Sequence, residues 1–273
     1  MPARPPQRCP MCLLMKPVVQ SHLIPESLYL HVTDGKSSPI RIGDGVVMPT
    51  DRQIKSYLLC LDCEDILSKG GETWVCPKLA WVDRRFPLYD LLKAAGGYIV
   101  DADKEGLFWA ASNPAIDVEK ITHFAMGIFW KAGVHSWKGG NSAPMIDLGG
   151  YEEEIRLWLR GEAAFPRNVT FSFVVSRPER AQLTIGQPVE VPVRKVGRTW
   201  RHYQLHLVGA MFSINVGETI SLEERMICFY REPRHPVLVS DNVTGVLERR
   251  HAEHFAESRQ TKAYLRSKEK RGI

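Results

Sequence analysis

Cys9 and Cys12, in Cys9-Pro10-Met11-Cys12, and Cys60 and Cys63, in Cys60-Leu61-Asp62-Cys63, form two Cys-x-x-Cys pairs with 47 residues between them. Each such pair makes a tight turn that presents two thiolates to one point, so the four together can supply the tetrahedral sulfur set of a single zinc ion. One alternative is four separately buried cysteines, whose paired spacing would then be accidental. Another is a redox dithiol, which wants a thioredoxin-like strand and helix around the pair, and neither pair has that context. A zinc with four protein sulfurs keeps no open position for water, so this ion is structural and not the catalyst. Its role is to clamp the segment near residue 10 to the one near residue 60, in a region with little apolar content of its own. Cys76 and Cys228 stand singly in apolar surroundings and read as small buried hydrophobes.

After nine intervening residues the first pair is followed by His22, in Ser21-His22-Leu23-Ile24-Pro25. An imidazole titrates close to neutral pH and suits a general base, although it serves equally well as a hydrogen-bonded anchor for a loop. Glu64 directly follows the second pair, between Asp62 and Asp65. Carboxylates there suit a hard divalent ion, or simply complement the dipole of a helix beginning at residue 60. Ser21 has a second reading as a helix N-cap. His251 and His254 share a helix face without a third ligand, and His202 and His206 share a strand face where exposure to solvent is expected. Trp130, Trp137 and Trp158 lie in strongly apolar helices and read as core rather than as base-stacking platforms. The chain contains no glycine-rich phosphate loop, serine-nucleophile elbow or dinucleotide fingerprint.

These residues need a framework, and 273 residues at 44% hydrophobic suffice for a substantial core. There is no signal-peptide pattern and no apolar run long enough to cross a bilayer, and paired rather than scattered cysteines fit a reducing compartment, so a cytoplasmic protein is expected. The formal charge of +5 divides as +2 over residues 1–85, −1 over 86–247 and +4 over 248–273. Turn formers and short alternating pieces dominate the first 85 residues, with a hairpin near Val46-Val47-Met48 and a short helix opening at Cys60 and ending at Gly70-Gly71. Residues 86–165 read as helical. Apolar residues recur at helical spacing through 118–137, so little polar circumference remains and the helix should be central to the core. Tyr151 to Arg160 is a second helix, with acids first, arginines last and Gly161 as the stop. From Val169 the period becomes two, giving antiparallel strands at 169–175, 189–193, 202–216, 226–230 and 237–239, the one with Pro192 confined to an edge. The tail from 248 returns to a basic helix. The expected class is α+β, in three parts: a zinc-binding module over 1–85, an α+β domain over 86–247 and a basic helix over 248–273.

Taken in order, Cys-x-x-Cys, the histidine before Leu-Ile-Pro, an inserted hairpin and Leu58-Leu59-Cys60-Leu61-Asp62-Cys63-Glu64 resemble the zinc-ribbon type of HNH endonuclease, the ββα-metal fold. The resemblance covers roughly residues 9–75. It implies that His22 activates water against a phosphodiester. It also implies that Ser21 and Glu64 fall on positions that bind the catalytic divalent ion, Mg²⁺ or Mn²⁺, with Ser68 one helical turn later. The chain departs from the family at Ser21 and Ser68, where metal ligands are usual. It also lacks the central asparagine, since Gln53 to Tyr57 contains none.

The expectation is an HNH-like metal-dependent nuclease with a structural zinc, cutting DNA, with RNA as a second candidate target. Basic residues of the tail, Arg249, Arg250, Arg259, Lys262, Arg266, Lys268, Lys270 and Arg271, would add phosphate affinity. The competing expectation is the same zinc fold with its catalytic metal site lost, recognising nucleic acid or a protein partner.

Overall fold

A computed structural model describes residues 6–32, 40–43, 46–49, 53–79, 85–95, 97–101, 105–137, 143–178, 184–191 and 199–240, with isolated positions between 253 and 262. Two short strands, β1 (Gln7–Arg8) and β2 (Met15–Lys16), pair across the first cysteine turn. Strand β3 (Val18–His22) follows, then a short helix α1 (Glu26–Tyr29) and a hairpin of β4 (Ile40–Gly43) and β5 (Val46–Pro49). The chain returns as β6 (Lys55–Cys60), antiparallel to β3, and passes without a loop into helix α2 (Leu61–Leu67). Two strands and a helix therefore carry His22, the second cysteine pair and Glu64.

Gly70-Gly71 does not end this helix. The backbone widens into a π-turn over Ser68–Glu72 and continues as α3 (Thr73–Leu79). The reason lies in packing. A Cβ on Gly71 would stand 2.6 Å from the Phe124 amide nitrogen and 2.7 Å from the Lys120 carbonyl oxygen, so glycine lets this backbone lie directly on a later helix. That helix is α5 (Val118–Val134), reached through α4 (Pro87–Ala95) and the strands β7 (Gly97–Asp101) and β8 (Glu105–Trp109). The β7–β8 hairpin corrects the all-helical reading of residues 86–165.

Asp117 caps α5 by accepting the Lys120 amide hydrogen at 3.0 Å, and burial on nearly every side of the helix confirms it as the central core element. Helix α6 (Tyr151–Leu159) packs beside it, with Gly161 in the left-handed region just past its end.

The remaining strands are β9 (Val169–Val175), β10 (Val189–Glu190), β11 (Trp200–Leu207), β12 (Ala210–Gly217) and β13 (Pro236–Ser240), with helix α7 (Leu222–Met226) before the last. Seven strands form one sheet in the order β10-β11-β12-β9-β13-β8-β7, with the strand preceding Pro192 at its edge as expected. The sheet is mixed rather than antiparallel. The chain leaves β12 at Val216, opposite Val169 where β9 begins, and after α7 sets out again on the other side of β9 in β9's own direction, so β13 is parallel to β9. The expected strand at 226–230 is instead the end of α7 and a turn, because Ser221 and Glu224 begin a helix in which the serine hydroxyl accepts the Glu224 amide.

Phe171, Phe173 and Phe212 stack within the core, Phe229 meets Phe173 edge-on at 4.7 Å, and Phe124 of α5 meets the Phe212 ring edge-on at 5.9 Å. Buried apolar side chains form one cluster running from Cys9 to Val239. Among the described residues no helix is long and apolar enough to cross a membrane. In the tail, Glu253, Ala256, Glu257 and Lys262 are helical; the other basic residues expected there lie outside the described residues, as do His251 and His254.

Candidate metal centre and the cleft beside it

The β1–β2 turn is closed by two main-chain bonds, Leu13 N–H to the Cys9 carbonyl at 2.8 Å and Cys9 N–H to the Leu14 carbonyl at 3.0 Å. Leu13 takes a positive φ of 62° to make it. This turn points Cys9 and Cys12 at the place where β6 becomes α2, occupied by Cys60 and Cys63. The four sulfurs all lie within 4.8 Å of one another, and Cys12 and Cys60 are 3.8 Å apart. Zinc–sulfur bonds of about 2.3 Å give a tetrahedron whose sulfur–sulfur edges are about 3.8 Å, so the donor set fits a structural zinc. Burial pushes the Cys60 and Cys63 thiols above their ordinary range. At Cys9 burial acts the same way, but main-chain hydrogen bonds at Cys12, Cys60 and Met11 outweigh it and leave the thiol lowered. The cluster is braced from outside, where Arg156 of α6 donates to the Met11 carbonyl inside the first pair.

Ser21 and Glu64 meet. Ser21 is 1% exposed; its hydroxyl donates to the Glu64 carboxylate and accepts the Leu59 amide hydrogen at 3.2 Å. It lies in β3 and caps no helix. The next residue, His22, ends the strand with its Nε2 buried and without a hydrogen-bond partner. Asp62 and Asp65 behave as surface acids, paired with Lys16 and Lys69 at 2.7 Å each. The Lys16 ammonium holds the Asp62 carboxyl below its usual range.

His22 and Glu64 line a cavity of about 520 Å³, together with Gln20, Ser68, Glu72 and Lys131. Besides Gln20, two of these were not legible as site residues. Glu72 is carried there by the π-turn, and Lys131 reaches in from α5, its side chain 2% exposed, 3.6 Å from the Glu72 carboxylate and 2.7 Å from the His22 carbonyl oxygen. A lysine inside a helix apolar on nearly all sides was the available signal for the second. Cys76 also borders the cavity, and burial pushes its thiol up to about 12, so it stays protonated at neutral pH.

For a divalent ion the donors are sparse. Among the described residues the four thiols are the one group of three or more His, Cys, Asp or Glu side chains that converges on a point. Of the positions the resemblance assigns to the divalent ion, Glu64 alone offers a hard oxygen anion. That is within the habit of Mg²⁺, which commonly takes one or two carboxylates and completes its shell with water and substrate phosphate.

The remaining candidates resolve into structure. His206 is 3% exposed, contrary to the expectation of a solvent-facing strand histidine, and His202 is held by Asn215 at 2.7 Å. Trp130 and Trp158 are core residues. Trp137 donates to the Lys131 carbonyl at 2.8 Å. Cys76 and Cys228 are buried singly, as expected. Compared with family models, curated proteins and solved structures, the chain matches none.

Proposed function

We propose that residues 9–79 form an HNH-like ββα-metal module that hydrolyses phosphodiester bonds in DNA, with His22 as the base that activates water. The observation that carries this reading is that His22 and Glu64, two of the positions the resemblance assigns to base and metal, line one cleft, and that the third, Ser21, is bonded to Glu64 beside it. The zinc is the clamp that makes this possible, since it joins the loop before β3 to the junction of β6 and α2. His22 Nε2 lacks a protein partner, and taking a proton from a substrate water requires the ring to turn from its buried position into the cleft. Mg²⁺ or Mn²⁺ would bind at Glu64 and supply a Lewis acid for the phosphate.

A second reading is favoured by one observation: the Ser21 hydroxyl already satisfies Glu64, as expected of a site that has given up its metal and recognises nucleic acid or a protein. Nicking of supercoiled plasmid by the zinc-loaded full chain, with Mg²⁺, Mn²⁺ or no added divalent ion, decides between the two. Cleavage that falls by roughly 10²–10⁴ in His22→Ala supports the nuclease. Cleavage unchanged in that variant overturns it, and no cleavage with any divalent ion leaves the binding module. A single-stranded RNA substrate in parallel identifies the preferred polymer.

A further inference from the structure

We infer that Lys131 is a positioning residue for His22, fixing the main-chain carbonyl at the end of β3 and with it the place from which the imidazole enters the cleft. Its catalytic consequence rests on the hydrolytic reading above, whereas the mechanical linkage stands apart from it.

An ammonium as buried as this one is tolerated only with a counter-charge and hydrogen-bond acceptors around it. Glu72 supplies the charge at 3.6 Å and the His22 carbonyl the acceptor at 2.7 Å. The other buried polar side chain of α5, Thr122, turns back onto its own helix, its hydroxyl donating to the Val118 carbonyl at 2.8 Å. Lys131 instead leaves its helix and donates to a strand end, where the pairing with the β6 side continues past His22 as the Leu23 N–H to Ile54 carbonyl bond at 2.9 Å and fraying sets in first.

The same helix also holds the π-turn whose residues line the cleft. Lys120 Nζ donates to the Lys69 carbonyl within the π-turn at 2.7 Å, and the glycines of that turn let its backbone seat on α5. One rigid helix thus fixes both the turn that carries Glu72 and the strand that carries His22. A base must stand within hydrogen-bond reach of the proton it removes, and a misplacement of about 1 Å can cost about 100-fold in rate. The site is therefore completed by a residue far outside the cysteine-bearing segment.

The test uses the full zinc-loaded chain. In the wild type, the ¹⁵Nζ resonance of Lys131 should be protected from solvent exchange; exchange as fast as that of surface lysines overturns the inference. In Lys131→Met, amide hydrogen exchange should quicken at Leu23, the residue after the braced carbonyl, with zinc content unchanged, and Lys131→Arg should restore part of the protection. With plasmid substrate, Lys131→Met should lower kcat about 10- to 100-fold while KM moves little. A rise in KM at constant kcat would make Lys131 a substrate contact instead, and unchanged exchange at Leu23 would sink the linkage. Absence of cleavage in the wild type would refute the nuclease reading alone, because the two exchange measurements need no activity.

Discussion

The hydroxyl of Ser21 on β3 donates to the carboxylate of Glu64 on α2, and its oxygen also accepts the buried amide of Leu59 on β6. One small side chain thus ties together all three elements of the module. Ser21→Ala leaves the Leu59 N–H without an acceptor in a site that water does not reach. The expected loss is about 1–3 kcal/mol, read as a lower urea midpoint with zinc content unchanged. A midpoint within error of the wild type would show that the bond contributes nothing.

Zinc should be present at about one ion per chain and vanish in Cys63→Ser, as metal analysis after dialysis would record. Structural zinc binds zinc-finger peptides with about 10–16 kcal/mol of apparent free energy, comparable to or larger than the whole stability of a typical domain. Chelation should therefore unfold the β3–β6–α2 segment, seen by loss of amide protection there. Thiols must lose protons to ligate, and burial raises Cys60 and Cys63, so binding releases protons and affinity falls as pH falls. Retention of zinc by the Cys63→Ser protein would refute the four-sulfur site.

Gly71→Ala places a methyl against backbone atoms of α5 that cannot step aside, whereas Gly150→Ala meets nothing within 4 Å. The first should cost about 1–3 kcal/mol, or more if the turn cannot relax; the second should stay within about 1 kcal/mol. Calorimetric Tm values for the pair check the contrast. Equal Tm values would mean that the π-turn does not depend on contact with α5.

His123 is held as a neutral ring: burial lowers its affinity for a proton, only partly opposed by the bond from its Nε2 to the Leu159 carbonyl at 2.9 Å. Because the folded value lies below the unfolded one, the stabilisation is fully present above about pH 6.5 and is lost as pH falls through the folded value. Urea unfolding at pH 7 and pH 5 should show a decline, smaller by the order of 1 kcal/mol in His123→Gln. Identical slopes for the two proteins would remove His123 from the acid response.

The cysteine centre was readable in the sequence because zinc ligation depends on residue type and local spacing, and Cys9, Cys12, Cys60 and Cys63 carry both. The strands at 169–175 and 237–239 were readable for a similar reason, since alternation is a property of the segment itself. Gly70-Gly71 was misread as a stop because glycine's use there is set by Phe124 and Lys120, which close on it only in the folded core. The same packing concealed Glu72 and Lys131, whose pairing belongs to no motif. The hairpin of Gly97–Asp101 and Glu105–Trp109 owes its place in the sheet to β13, far along the chain, and leaves little local trace.

The two cysteine pairs both precede α5, and this has a consequence for biosynthesis. As the chain emerges from the ribosome, all four thiols are available to capture their ion well before Lys131 has been translated. A nascent protein would thus hold its metal early, yet His22 would stay unbraced until α5 docked, so that the cleft is completed only once about half of the polypeptide has been made.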